Sequence, residues 1–565
     1  MLIVTLLCFS LWGSIASCSN NEKAADPVKF TVAHEDDGLK FTRLEATQQL
    51  SIQAPTTPSV SSDQPWLTAT APTVKAGASH IYVTDVKAAA NDGYNDRSAT
   101  LTVTCGSESK KVKVVQTAGE GIVLVSVTPE KEIGAEGGQI TVKFEATSEY
   151  KVTASGPVER HESRSLTPGE ETFTVFANHG AATRDIDITI ALISDESLAI
   201  SAHLTQAGST DAVHGLTSIE IARAMTNGIN IGNTMEATGG ETSWGAELVN
   251  REYVHGLRAA GFDAVRIPCS WNIYMDDQNV IDAKWLNRVY EVVGYCIDEG
   301  MYVLLNDHWD DGWLENDIPN GYKEEKAKRL TAMWKQISEK MAEFDQRLMF
   351  AGLNEPNAES DNAIRTLVKY EQVFVDAVRA TGGNNADRIL VVQAPNTSLE
   401  LAMNENFTLP NDPTPDRIMV ETHFYGPYQF TLMEEDASWG KTFWFWGKDN
   451  HVEGSDRNST WGEEDWVREQ CQLMYNRFTV NGVPTIMGEY GCMVRSELKG
   501  GNYWDLHQKS RRDWSECVVR ESKLAGCVPF NWDTPGGIVH RHDGHITDQA
   551  MVDAIANGAK AQYPF

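Results

Sequence analysis

Between residues 228 and 533 eight short apolar runs recur, separated by stretches with helical spacing, and this alternation restricts the fold more than any other feature. The runs are GINIG (228–232), DAVRIP (263–268), MYVLLND (301–307), LMFAGLN (348–354), RILVVQA (388–394), RIMVETHFY (417–425), PTIMGEY (484–490) and CVPFNWD (527–533). Segments between them, such as WLNRVYEVVGYCIDEG and EEKAKRLTAMWKQISEKMAEF, space their apolar residues as one face of a helix does. Eight such repeats in about 350 residues fit a (β/α)8 barrel.

The chain has 565 residues, more than one domain ordinarily holds. Residues 29 to 209 read differently from the barrel. They are rich in Thr, Val and Ser, with short alternating runs (SATLTVTC, KKVKVVQ, GQITVKF, RDIDITIA) bounded by Gly and Asn, the pattern of all-β sandwiches. NDGYNDRSATLTV with VKVVQTAG recurs as NHGAATRDIDITI with AHLTQAG, which aligns Arg97 with Arg184 and Gln116 with Gln206. This predicts two copies of one module, 29–120 and 121–209, ahead of a barrel domain from 214 to 565. Both copies resemble BACON-type Ig-like modules of secreted bacterial glycanases, a resemblance that implies sugar binding or a spacer role. Trp66 is the only tryptophan in either copy, and one ring in the strand-like PWLTAT is expected to pack in the core, which favours the spacer.

Residues 1–17 form an uncharged apolar run, and Ile15-Ala16-Ser17-Cys18 at its end resembles a bacterial lipobox. The resemblance implies cleavage before Cys18, lipidation of its thiol, and an exported, membrane-anchored lipoprotein at the cell surface or in the periplasm, with residues 18–28 as a polar tether. Seven scattered cysteines remain, an odd set that reads as small buried hydrophobes rather than a disulfide framework or zinc motif. A formal net charge of −31 excludes nucleic acid as a partner, since a polyanion would be repelled, but leaves a neutral polymer open.

Barrel active sites are built at the C-terminal ends of the strands. The polar residues there are Arg266, Asn306, His308, Asn354, Glu355, His423, Tyr425, Glu489 and Trp532. Glu355 follows the fourth run and Glu489 lies at the end of the seventh, just before Tyr490. Two carboxylates facing one another across a cleft can hydrolyse a glycosidic bond, one protonating the leaving oxygen and one attacking the anomeric carbon. Each residue alone also has a structural reading, as a cap, a buried counter-ion or a core aromatic. Their placement at one pole is what points to chemistry.

With NGINIGNTMEA, ETSWG, GFDAVRIPCSW, LLNDHW, GLNEP, THFYG, MGEYG and NWD, residues 214–565 resemble glycoside hydrolase family five. The resemblance implies a retaining endo-β-glycanase with Glu355 as acid/base and Glu489 as nucleophile. Asn354 would bind the sugar 2-hydroxyl, Arg266 and Tyr425 would keep the nucleophile ionised, His308 and His423 would line the central subsite, and Trp532 would form its floor. Asn306 joins this substrate-binding set. Trp244, Trp271, Trp309, Trp313, Trp444 and Trp446 lie in loops after strands, and Trp271 and Trp309 are the expected cleft walls. A low pKa is expected for Glu489 and a raised one for Glu355.

The clusters NDHWDD (306–311) and HRHDGH (540–545) lack a familiar ligand spacing and are not expected to bind metal; the second reads as a hairpin turning at Asp543-Gly544. No cofactor is expected, and the protein is expected to be a monomer. The substrate class is a β-1,4-glucan (cellulose, mixed-linkage glucan or xyloglucan), with β-mannan as the alternative and a non-catalytic glycan-binding lipoprotein as the reading of a different class.

Overall fold

The computed structural model describes residues 28–565 apart from 94, 157, 162–168, 179, 181 and 211. The expected leader and Cys18 lie outside the described residues.

Residues 31 to 116 form two facing sheets. One runs, in spatial order, Thr31–Val32, Ala46–Gln53, Ile81–Ala88, Leu67–Ala69; the other runs Leu39–Phe41, Glu108–Gln116, Arg97–Cys105, Ser59–Ser62. Along Arg97–Cys105 every second residue from Ala99 is buried, the period-2 pattern of a strand with one dry face. Residues 122 to 206 repeat the plan with Ile122–Thr128, Gly138–Ala146, Glu170–Val175 and Val158–His161 facing Glu132–Ile133, Ala199–Gln206, Arg184–Leu192 and Tyr150–Ser155.

The duplication extends to polar detail. Arg97 donates to Gln116 Oε1 at 2.9 Å and to the carbonyls of Ala89 and Ala90. Arg184 donates to Gln206 Oε1 at 2.8 Å and to those of Phe176 and Ala177. Such a knot satisfies carbonyls just past the ends of strands Ile81–Ala88 and Glu170–Val175. Trp66 packs against the first core under the Arg97 guanidinium, 4.3 Å from its ring centre, so it is no exposed platform.

The barrel strands are β1 (Gly228–Ile231), β2 (Ala264–Ile267), β3 (Tyr302–Asn306), β4 (Leu348–Ala351), β5 (Leu390–Gln393), β6 (Ile418–Phe424), β7 (Thr485–Tyr490) and β8 (Cys527–Asp533), all parallel and closed from β8 back to β1. Helix Ala283–Asp298 shows how its sequence becomes structure. Asp282 caps it by accepting the N–H groups of Lys284 and Trp285; Val289, Val292, Val293, Cys296 and Ile297 form the buried stripe; and Gly300, at φ +72°, follows where the helix ends. The fifth crossover departs from the expected repeat. Between β5 and β6 only 3-10 turns occur among the described residues, and β6 is followed by a long loop before helix Glu464–Arg477.

The tube is filled from below. Ala264, Leu304, Met349, Val391, Met419, Ile486, Val528 and Phe530 pack inside it over Ile221 and Ala222 of helix Ser218–Ala224 and over Met225, which caps it. Apolar filling at the base leaves the upper pole as the place where inward polar side chains meet.

Candidate active site

Glu489 reaches the cleft through a local fault in the sheet. Thr422 pairs with Met487 but His423 pairs with Glu489, so Gly488 is an extra residue on β7, and the β7–β8 register shifts over the same stretch. Bulges of this kind re-aim side chains beside active sites. Only glycine fits there, because a Cβ on Gly488 would fall 1.8 Å from Glu421 Oε1.

Arg266, fully buried on β2, organises the site. Its Nη1 donates to Glu489 Oε1 at 2.9 Å and to Asn230 Oδ1 at 3.0 Å, its Nη2 donates to Asn354 Oδ1 at 2.7 Å, and its Nε lies 2.8 Å from Glu421 Oε1. The Tyr425 hydroxyl donates to the other Glu489 oxygen at 2.9 Å. Each oxygen of Glu489 therefore has its own donor, which fixes the plane of the carboxylate. Across from it, Glu355 accepts from His423 Nδ1 at 2.7 Å, and an oxygen of each glutamate lies within 4.8 Å of the other. Glu355 keeps 47% of its side chain open to the cleft, against 7% for Glu489. Trp532 stacks on His308 with ring centres 5.8 Å apart, and Trp309 stands exposed beside them.

The electrostatics reverse one expectation. Burial works against a charged His423, but Glu489, Glu355 and Glu421 around it outweigh this and push its pKa up to about 10. Burial also acts on Glu355, yet the hydrogen bond and charge of His423 hold it below the usual carboxylate range. Glu489 is raised by burial, which His423 and Arg266 only partly offset. The expected order, a low Glu489 and a high Glu355, is thus inverted, because His423 brings a charge that a neutral subsite wall would not. Burial and the charge of Glu489 raise the Tyr425 hydroxyl, which keeps it a neutral donor.

Two expected sugar contacts are corrected. Trp271 is 0% exposed and donates its indole N–H to Asn306 O at 2.9 Å, so it belongs to the core. Asn306 is buried too; it accepts the Cys269 N–H and lies 3.3 Å from His308 Nδ1, so it orients that ring rather than meeting solvent. Trp313 and Trp446 are buried as well, whereas Trp244 is 43% exposed.

The structure adds residues that the strand-end reading overlooked. Asn230 spans β1, β2 and β7 through Arg266 and Gly488 O. Glu421 is buried beneath His423; a signal was present, since a glutamate two residues before His423 in an apolar strand shares its inward face. Glu236, pushed up to about 7 by burial, accepts the backbone N–H of Asn233 and of Thr234 in the loop after β1. Glu315 had no local signal. One of its oxygens accepts the backbone N–H of Asn354 at 2.9 Å and of Glu355 at 2.5 Å, and burial pushes its pKa up to about 8. Glu315→Ala, which orphans both amides, is expected to lower kcat about 10- to 100-fold with KM little changed, because a small misplacement of a reacting group is enough for that loss. Glu315→Gln keeps an acceptor oxygen and should recover most of the rate; equal losses in both variants on a soluble glucan would refute a positioning role.

Among known families, the chain matches the model of cellulase (glycosyl hydrolase family 5) over residues 229–536, most of the barrel. The chain belongs to glycosyl hydrolase family 5. Ahead of this family 5 barrel, residues 56–117 match the BACON model, described as a putative N-terminal binding domain. A xyloglucan-specific endo-β-1,4-glucanase of Bacteroides ovatus is 33% identical over 463 residues, 76% of this chain and 89% of that protein. Endoglucanase A of Paenibacillus barcinonensis is 30% identical over 403 residues, 65% of this chain and 96% of that one. The structure of a Bacteroides ovatus family 5 xyloglucanase in complex with a XXXG heptasaccharide superposes with a TM-score of 0.57 at 28% identity, covering 94% of this chain and all of that one. A xyloglucan-specific β-1,4-glucanase from a ruminal metagenomic library, in complex with XXLG, is 38% identical with a TM-score of 0.57, covering 62% of this chain and 98% of the other.

Proposed function

We propose that this family 5 protein is a retaining endo-β-1,4-glucanase acting on xyloglucan-type β-glucan. The observation that carries the reading is the pair of glutamates with oxygens within 4.8 Å, one pinned on both oxygens by Arg266 and Tyr425 and the other open to the cleft. That spacing matches direct attack, for which carboxyl groups stand about 5–5.5 Å apart, and is too short for the intervening water of an inverting enzyme.

In this reading Glu489 attacks the anomeric carbon while Glu355 protonates the leaving oxygen. The 2.7 Å hydrogen bond from His423 Nδ1 orients the Glu355 carboxyl group toward the leaving oxygen. Because Arg266 occupies the Asn354 carbonyl oxygen, the amide NH2 of Asn354 is the group left to meet the 2-hydroxyl. Trp532 provides the apolar floor, with Trp309 at the rim.

A branched substrate is favoured over cellulose by the xyloglucan-acting relatives and by a cavity of about 310 Å³ beside the floor. Tyr425, Leu432, Met493 and Trp532 line its apolar side and Arg511 and Asn531 its polar side, a mixed wall suited to a pentosyl branch. Product release from tamarind xyloglucan, barley glucan, carboxymethylcellulose and glucomannan tests the reading. Xyloglucan is expected to give the highest kcat/KM; glucomannan in first place would move the substrate to the mannan class, and no release from any polymer would leave a binding protein.

Export as a lipoprotein is part of the same proposal and rests on the Ile15-Ala16-Ser17-Cys18 motif. With Cys18→Ala the enzyme is expected to leave the membrane fraction or to accumulate unprocessed. A wild-type protein found wholly in the soluble fraction, with an unmodified N-terminus, would end this part of the reading.

A further inference from the structure

The hairpin after β8 holds a group of side chains that the glycosidase reading does not use. Val539 and Ile546 form its antiparallel bridge, and His540 and His545 project from its opposite strands. Both imidazoles turn their Nδ1 to one carboxylate oxygen: Asp543 Oδ1 lies 2.9 Å from His540 Nδ1 and 2.6 Å from His545 Nδ1. The two rings are nearly parallel, 4.7 Å apart.

The frame beneath them is rigid. Arg541, between the two histidines and 4% exposed, donates to Gly232 O at 3.1 Å, to Asp533 O at 2.9 Å and to the Tyr253 hydroxyl, which ties the hairpin to the tops of β1 and β8. Gly544, at φ +70°, presses on helix Arg251–Ala259 so closely that a Cβ would fall 2.3 Å from Glu252 O. Asn250 also donates to His542 O at 3.0 Å. The hairpin backbone that carries the donors is therefore anchored before any ligand arrives, which reduces the order lost on binding.

We propose that His540, Asp543 and His545 form a binding site for a borderline divalent transition metal, with Zn²⁺ as the reference ion. Two nitrogens and one carboxylate oxygen suit Zn²⁺, Ni²⁺ or Cu²⁺ rather than Ca²⁺ or Mg²⁺, which take oxygen donors. An ion about 2.0–2.2 Å from each donor takes the place between the imidazoles and Asp543, each ring binding through Nδ1 as the neutral tautomer with its proton on Nε2, and solvent completes its coordination. The bound ion joins the two strands of the hairpin whose Arg541 holds the end of β8, next to Trp532. The sequence spacing, His-x-x-Asp-x-His, gave no reason to expect this; the hairpin fold brings the donors together.

Calorimetric titration of the chelator-treated, full-length protein with ZnCl₂ tests the site. The expected result is one ion per chain, an affinity at least about tenfold weaker in His540→Ala and in His545→Ala, and a Tm that rises with Zn²⁺ in the wild type but not in the double variant. His545→Asn serves as a size-conserving check, and Tm values measured without metal report whether each variant is folded. Glu489→Gln separates this site from the other convergent group, Glu355, His423 and Glu489, and its affinity is expected to equal that of the wild type. Absence of Zn²⁺ binding, or binding that survives in the double histidine variant, overturns the proposal.

Discussion

Replacing Glu489 by alanine is expected to lower kcat on xyloglucan by at least about 10⁴-fold, equivalent to roughly 5.4 kcal/mol of transition-state stabilisation. The loss is large because nothing else in the site can attack. Arg266 and Tyr425 would be left donating toward an empty space, still able to attract an anion. Azide should enter that space and, from an activated β-glycoside, give the α-glycosyl azide in a single displacement. Product configuration, followed by NMR, is the measurement. A β-azide from this variant, or an α-configured first product from the wild type, would show that Glu489 is not the nucleophile.

Glu355→Ala is expected to lose about 10³-fold on the polysaccharide, close to 4 kcal/mol, and to respond to the substrate in the opposite way. With a leaving group that needs no protonation, the glycosyl-enzyme still forms on Glu489, then accumulates because no base activates water. Stopped-flow traces should show a burst, and azide should release the intermediate as the β-glycosyl azide. For the same activated substrate the alkaline limb of the kcat/KM profile should disappear, since the proton it reports is no longer needed. A uniform loss across good and poor leaving groups would mean that Glu355 holds the site together instead of moving a proton.

The His423 charge bears on both experiments. The ring is flanked by three carboxylates, which together push its pKa up to about 10, and it holds Glu355 through a 2.7 Å hydrogen bond. Sequence reasoning placed His423 in the subsite but gave it only a lining role, because the inward face that Glu421 shares with it was overlooked and the fold of β7 around Gly488, which brings Glu489 beside it, depends on residues far away in the chain. The same limit applies to Trp271. A tryptophan just after a strand end reads equally well as a sugar platform or as packing, and what decides between them is the Asn306 carbonyl, 35 residues away, that takes its indole N–H.

Local chemistry determined the elements and the reacting groups. Apolar runs of strand length, helical spacing between them and carboxylates at their ends are properties of short segments, so eight strands, two glutamates and Arg266 were legible from the sequence, as was the Arg97/Gln116 and Arg184/Gln206 duplication. Tertiary structure alone decided what depends on residues far apart in the chain meeting in space: the register slip at Gly488 that turns Glu489 inward, Glu315 gripping the two amides around Glu355, the cation held among three carboxylates, and the convergence of His540 and His545 on Asp543. The physical reason is that burial and electrostatic fields are set by every group within a few ångströms, whatever its place in the sequence, whereas strand and helix propensity is set by neighbours along the chain.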